Sequence, residues 1–148
     1  MKKKLLNPRK KRRVRNYTHN GKRCSKGEKY VALYLEKHNI KYCREKTFPT
    51  CLSPKKRNLR YDFYLPEYKL LIEYQGQHHY KPISNKVNAR KSHERTVCHD
   101  NIKKQFADKF NFKLIRIPYY VYDNLDYILD RIFNFIKSKR GKYEIRNS

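Results

Sequence analysis

A chain of 148 residues with a formal charge of +25 and a hydrophobic share of 38% has the length of a single domain and enough apolar residues for a modest core. So large a charge implies a polyanionic partner, and without a long apolar segment nucleic acid is favoured over an anionic membrane.

Residues 1–20 carry nine Lys or Arg and no acid, contain Pro8 and lack apolar periodicity. They predict a basic, disordered arm reaching to about residue 22, with Lys10, Lys11, Arg12 and Arg13 as phosphate contacts. The other 128 residues keep a charge of +16 (25 − 9), so the folded part is itself basic. The run from Arg9 to Arg13 also has the form of a nuclear import signal, which leaves nucleus and cytoplasm of a host cell both open. No apolar leader is present, so a secretory signal is not expected. Cys24, Cys43, Cys51 and Cys98 lie 19, 8 and 47 positions apart, without the close pairs of a zinc knuckle, and predict free, mostly buried thiols in a reducing interior. No spacing supports a mixed zinc site through Cys98 and His99.

Ser25-Lys-Gly-Glu28 is a capping box, and Val31, Tyr34, Leu35 and His38 follow at helical spacing, which predicts a helix from Lys26 to about His38. Glu28 carries two readings: a hydrogen bond back to the Ser25 backbone, or a carboxylate reaching inward from the helix tip. Tyr42 to Phe48 alternates weakly as an outer strand, and Pro49 to Arg60 reads as a basic loop whose Lys55, Lys56, Arg57 and Arg60 either grip phosphates or are simply solvated. Tyr61, Phe63 and Leu65, then Leu70, Ile72 and Tyr74, have the period of two strands joined by Pro66-Glu67-Tyr68-Lys69. A hairpin closed there sets Leu65 against Leu70, Phe63 against Ile72 and Asp62 against Glu73, with Gln75 on the same face. Like charges so placed need compensation, either a neighbouring lysine, a slip of register or a divalent cation. A second helix is expected from Lys91 to Phe110 on the stripe Cys98, Ile102, Phe106 and Phe110. A short strand follows from Lys113 to Ile117, and a third, amphipathic helix from Asn124 to Ile136. Helix, three strands, helix, strand, helix is the pattern of an α/β domain with a small mixed sheet between helices, here from residue 23 to 138, followed by a basic tail over 139–148.

Two opposed carboxylates, a main-chain carbonyl and a phosphate oxygen suit magnesium (Mg2+), with manganese (Mn2+) as a substitute, and such an ion activates water for attack on a phosphodiester. Asp62 followed by Glu73-Tyr-Gln75 resembles the PD-(D/E)XK nuclease superfamily, with Gln in place of the usual Lys and without the leading proline. Ser25-Lys-Gly-Glu28, Tyr61-Asp-Phe-Tyr-Leu-Pro66, Ile72-Glu-Tyr-Gln-Gly76, His79-Tyr80, His99-Asp100 and Leu114-Ile-Arg-Ile-Pro118 together resemble viral and phage endonucleases related to very-short-patch-repair enzymes and some homing endonucleases. This resemblance implies a restriction-endonuclease-like core and magnesium-dependent cleavage of duplex or branched DNA. It implies that Asp62 and Glu73 are metal ligands, that Gln75 replaces the superfamily lysine, and that Glu28, His79 and Asp100 support catalysis. On the residues alone, His79 competes with its neighbour His78, and Asp100 reads equally as a solvated partner of Lys103 or Lys104. Tyr119, Tyr120 and Tyr122 either stack on bases or pack at the end of an apolar strand. Cleavage of both strands would call for two active sites, and a homodimer is one way to supply them. The competing expectation is a nucleic-acid-binding protein that keeps the fold without the activity.

Overall fold

The structure, a computed structural model, describes residues 17–19 and 21–146. Lys10, Lys11, Arg12 and Arg13 lie outside them. Two short strands, β1 (Tyr17–His19) and β2 (Lys22–Cys24), form an antiparallel ribbon ahead of helix α1 (Lys26–Lys37). Strand β1 and the first residue of β2 thus fall inside the span expected to be a disordered arm. The ribbon is tied down by His19, buried, whose Nε2 lies 2.9 Å from Glu36 Oε1, and by Arg44, which donates to the His19 carbonyl.

Four strands follow in one sheet of order β3-β4-β5-β6: β3 (Cys43–Leu52), β4 (Asn58–Leu65), β5 (Leu70–Gln75) and β6 (Lys113–Pro118). The β3–β4 and β4–β5 pairs are antiparallel, whereas β6 pairs parallel to β5 after a crossover through α2 (Val87–Lys109). The last described element is α3 (Leu125–Arg146), which carries helix well into the segment expected to be a tail. The fold class is therefore mixed α/β, with a four-stranded mixed sheet and three helices.

One expectation about the loops is corrected. Pro49 to Leu52 belong to β3 and Asn58 to Arg60 to β4, leaving a connection of only Ser53 to Arg57. Proline fits because β3 is an edge strand, where a missing N–H costs no ladder bond, and the pairing shifts register between Thr47 and Leu52. The connection is closed by the Ser53 N–H donating to the Arg57 carbonyl (2.8 Å) and the Arg57 N–H donating to Ser53 Oγ (3.1 Å).

The core has two parts, one on each face of the sheet. Val31, Leu35, Phe63, Leu65, Leu70, Ile72, Leu129 and Phe133 pack beneath α1 and α3. Cys51, Leu59, Tyr61, Leu71, Phe106 and Ala107 pack beneath α2, with Phe48 and Phe112 stacked around Phe106. Tyr61 and Phe63 stand two positions apart and would share a face in a regular strand. They lie instead in opposite halves of the core, so β4 changes face at Asp62.

Candidate active site

That change of face builds the site. The β3–β4 ladder pairs Arg44 with Phe63 and Lys46 with Tyr61 but skips Glu45 and Asp62, and Glu45 holds a left-handed backbone (φ 55°). On the other side, the expected Leu65↔Leu70 and Phe63↔Ile72 pairs form, and there the β4–β5 ladder stops. Asp62 meets β5 through its side chain: Oδ2 accepts from the Tyr74 N–H at 2.8 Å. The carboxylate is thereby released from the flat cross-strand stack above Glu73 that a uniform period of two would give.

Released in this way, Asp62 meets the tip of α1. Carboxylate oxygens of Glu28, Glu45 and Asp62 lie within 4.8 Å of one another. Glu28 makes the capping bonds and also turns its second oxygen away from the cap. Its Oε1 accepts from the Ser25 N–H (3.3 Å) while Ser25 Oγ accepts from the Glu28 N–H (3.1 Å), and its Oε2 lies 3.3 Å from Arg44. Glu45 is paired with Arg60 at 2.7 Å. Among the described residues, Asp62 has no cation within ion-pair distance. Burial, then the charges of Glu28 and Glu73, push its carboxyl up to about 7, against the downward pull of the Tyr74 N–H and Lys103.

Glu73 and Gln75 point toward α2 and form a second cluster. Glu73, buried at 3% exposure, accepts from Lys103 Nζ at Oε1 and stands 3.6 Å from Arg116 Nε at Oε2. Among the described residues, its Oε2 has no hydrogen-bond partner. Arg116 lies directly across the parallel β5–β6 ladder from Glu73 and donates to the Asp100 carbonyl. Gln75 donates its amide to Asp100 Oδ2 (3.4 Å) and accepts from the Tyr80 hydroxyl (2.9 Å). The His79 ring Nδ1 lies 2.7 Å from the same Asp100 oxygen. His79 rather than His78 therefore touches the acid, while the His78 carbonyl accepts from His93. Asp100, only 9% exposed, is not the solvated partner of a neighbouring lysine: Lys103 goes to Glu73, and Lys104 to Asp108.

Asp62, His78, His79, Asp100 and Lys103 all border one cleft of about 790 Å³, between the Ser53–Arg60 segment and the first half of α2. A water occupies about 30 Å³, so the cleft has room for far more than a hydrated ion. Its rim is basic on both sides, with Lys55, Arg57 and Arg60 on one wall and Lys91 and Arg95 on the other. Lys56, expected beside them, instead takes the left-handed position of the turn (φ 59°) and is absent from the lining. Tyr120 is exposed at 67%, and Tyr119 and Tyr122 are half-buried beside the β6 end. Of the cysteines, Cys51 alone is buried, which corrects the expectation of mostly buried thiols; all four are free.

Sequence reasoning passed over three residues of these clusters. Glu45 gave no signal, because its role follows from the backbone irregularity. Arg116 did: a lone charge in the run Leu114-Ile-Arg-Ile117 demands a buried partner. Lys103 was visible only as a candidate neighbour of Asp100.

No family model and no solved structure matches the chain. It is similar to uncharacterized protein 307L of Invertebrate iridescent virus 6, 32% identical over 75 residues, which cover 51% of this chain and 38% of that protein. It is also similar to uncharacterized protein 094L of Frog virus 3 (isolate Goorha), 38% identical over 77 residues, covering 49% of this chain and 47% of that protein. The matches thus span less than half the length of these curated relatives, whose names assign no activity.

Proposed function

We propose that this protein is a metal-dependent DNA endonuclease with a restriction-endonuclease-like, PD-(D/E)XK core. The observation that carries the proposal is Asp62: an acid without a cationic partner among the described residues, gathered with Glu28 and Glu45, on a cleft whose two walls are basic. A binding protein gains nothing from carboxylates on its phosphate-facing surface, where they repel the ligand. A divalent ion would reconcile them, and hard carboxylate oxygens are the donors magnesium or manganese prefers.

Asp62 would be the principal ligand and Glu73, whose buried Oε2 has no hydrogen bond, the second. When bound, the ion lowers the pKa of a bound water and offsets charge building on the scissile phosphate. The chain's own residues divide the remaining work. Lys55, Arg57 and Arg60 on one wall and Lys91 and Arg95 on the other hold the DNA backbone. Asp100 fixes the His79 ring and the Gln75 amide, which places a proton-accepting or hydrogen-bonding imidazole at the cleft wall. Arg44 and Arg60 hold Glu28 and Glu45 in place and temper the acid cluster.

The second reading, a nucleic-acid-binding protein without activity, draws support from Glu73, which is engaged by Lys103 and Arg116 as a structural acid would be. Nicking of supercoiled plasmid separates the two. Cleavage in magnesium or manganese, absent in EDTA and absent in Asp62→Ala and Glu73→Ala, is the expected result. Cleavage by Asp62→Ala at the wild-type rate, or tight binding by every form without cleavage of plasmid, branched or mismatched DNA, would overturn the proposal.

A further inference from the structure

The acids on this cleft leave one requirement unmet. Hydrolysis of a phosphodiester builds negative charge on the phosphate, and a fixed cation within the site relieves it. Gln75, beside Glu73, is neutral, and both ends of its amide are occupied, the nitrogen by Asp100 and the oxygen by Tyr80. Arg44 is buried against Glu28, and Arg60, paired with Glu45 but 68% exposed, stands at the rim rather than at the carboxylates of Asp62 and Glu73. We infer that Lys103, reaching from α2, supplies the positive charge at the carboxylate pair and acts as a residue of the catalytic site. This rests on the nuclease reading.

The position of Lys103 is built into the fold. Its side chain is 12% exposed and donates to Glu73 Oε1, while Nζ lies 5.3 Å over the Tyr61 ring, a favourable face for a cation. The Tyr61 hydroxyl donates to the Lys103 carbonyl at 2.8 Å, pinning this turn of α2 to the strand that carries Asp62. Lys103 also borders the cleft together with Asp62, so the ammonium that holds Glu73 belongs to a residue on the cleft wall. Its neighbour Lys104 offers the contrast. It is exposed, pairs with Asp108 one turn along α2, and borders no part of the cleft.

The alternative is that Lys103 only neutralises a buried Glu73. Four variants of the full chain tell these apart: Lys103→Met, Lys103→Arg, Lys104→Met, and Lys103→Met combined with Gln75→Lys. Cleavage is measured at saturating Mn2+, and Mn2+ binding is measured separately by calorimetry without DNA. Losing one charge-stabilising donor costs about 100-fold or more in rate, so Lys103→Met should be slowed to that extent while its Mn2+ affinity holds or rises as Glu73 is freed. Lys103→Arg should lie between it and wild type, and Lys104→Met should match wild type. Returning an ammonium through Gln75→Lys should restore at least about tenfold of the lost rate, since charge rather than the link from helix to strand is what the reaction uses. Lys103→Met cleaving at the wild-type rate would overturn the inference and leave the nuclease reading standing. So would loss of Mn2+ affinity and thermal stability along with the rate, with no recovery on Gln75→Lys. A wild-type chain that cleaves no DNA would overturn both.

Discussion

Asp62 concentrates the electrostatic tension of the molecule. Its carboxyl is pushed from 3.8 up to about 7 by burial and by Glu28 and Glu73, so the folded protein binds that proton more tightly than the unfolded chain does. The contribution of this group to stability is therefore complete below the unfolded value and declines as pH rises from about 4 to about 7. One pKa unit corresponds to about 1.4 kcal/mol, and even a partial expression of the shift makes Asp62→Asn more stable than wild type by about 1 kcal/mol or more at pH 8 in EDTA. Thermal melts of both proteins at pH 5 and pH 8 test this, and a difference that does not shrink at pH 5 would refute it. The same scale shows what sequence could disclose. Asp62 and Glu73 stand out by strand period, but their separate surroundings depend on the irregular pair Glu45 and Asp62, and no residue type in β3 or β4 announces a left-handed glutamate. Asp100 was obscured for a different reason. The stripe through Ile102 and Phe106 draws the eye, whereas Asp100, Lys103, Phe106 and Ala107 lie at the i, i+3, i+6, i+7 spacing of a single helix face turned to the sheet.

Among the elements, α1 is placed by Gly27 as much as by its cap. The aromatic ring of Tyr74 fills the space where a Cβ on Gly27 would stand. This close approach brings the helix tip, and Glu28 with it, down onto β5. Gly27→Ala should force the two apart, costing roughly 1–3 kcal/mol as overpacking does, and should impair cleavage by displacing Glu28. Scanning calorimetry together with the nicking assay measures both, and an unchanged melting temperature would mean that the ring simply swings aside. The element order from α1 to α3 was legible because helix caps, period-two runs and turn residues are local signals. The β1–β2 ribbon was not, since three-residue strands carry no periodicity and this one is held by distant partners, His19 with Glu36 and Arg44 with the His19 carbonyl. The length of β3 was hidden by Pro49, which reads as a breaker unless the strand is known to lie at the sheet edge.

Over the whole molecule, two groups of cations bear most directly on the proposed binding of DNA. Residues 1–16 carry nine cations, and the cleft walls add Lys55, Arg57, Arg60, Lys91 and Arg95. Each phosphate neutralised contributes about 0.9 to the slope of log affinity against log salt on duplex DNA. Deleting residues 1–16 should therefore flatten that slope by several units while leaving the cleavage rate on saturating DNA nearly intact, whereas Arg57→Ala with Arg60→Ala should flatten it by about two and slow cleavage as well. Fluorescence anisotropy across a salt series reads the slopes, and an unchanged slope on deletion would remove the arm from the interface. The basic character of the chain was plain from composition. That two segments far apart in sequence face each other across one cleft was not, because only the crossover through α2 brings them together.

The crossing-over of β4 at Asp62 gives this architecture an unusual dependence. Tyr61 is anchored in the packing under α2 and Phe63 in the packing under α1 and α3, so the residue between them is suspended from two separate interiors. Neither interior alone determines where the carboxylate stands. Loosening of either half of the protein is transmitted to one acid, and the candidate site acts as a gauge of how well both halves are assembled.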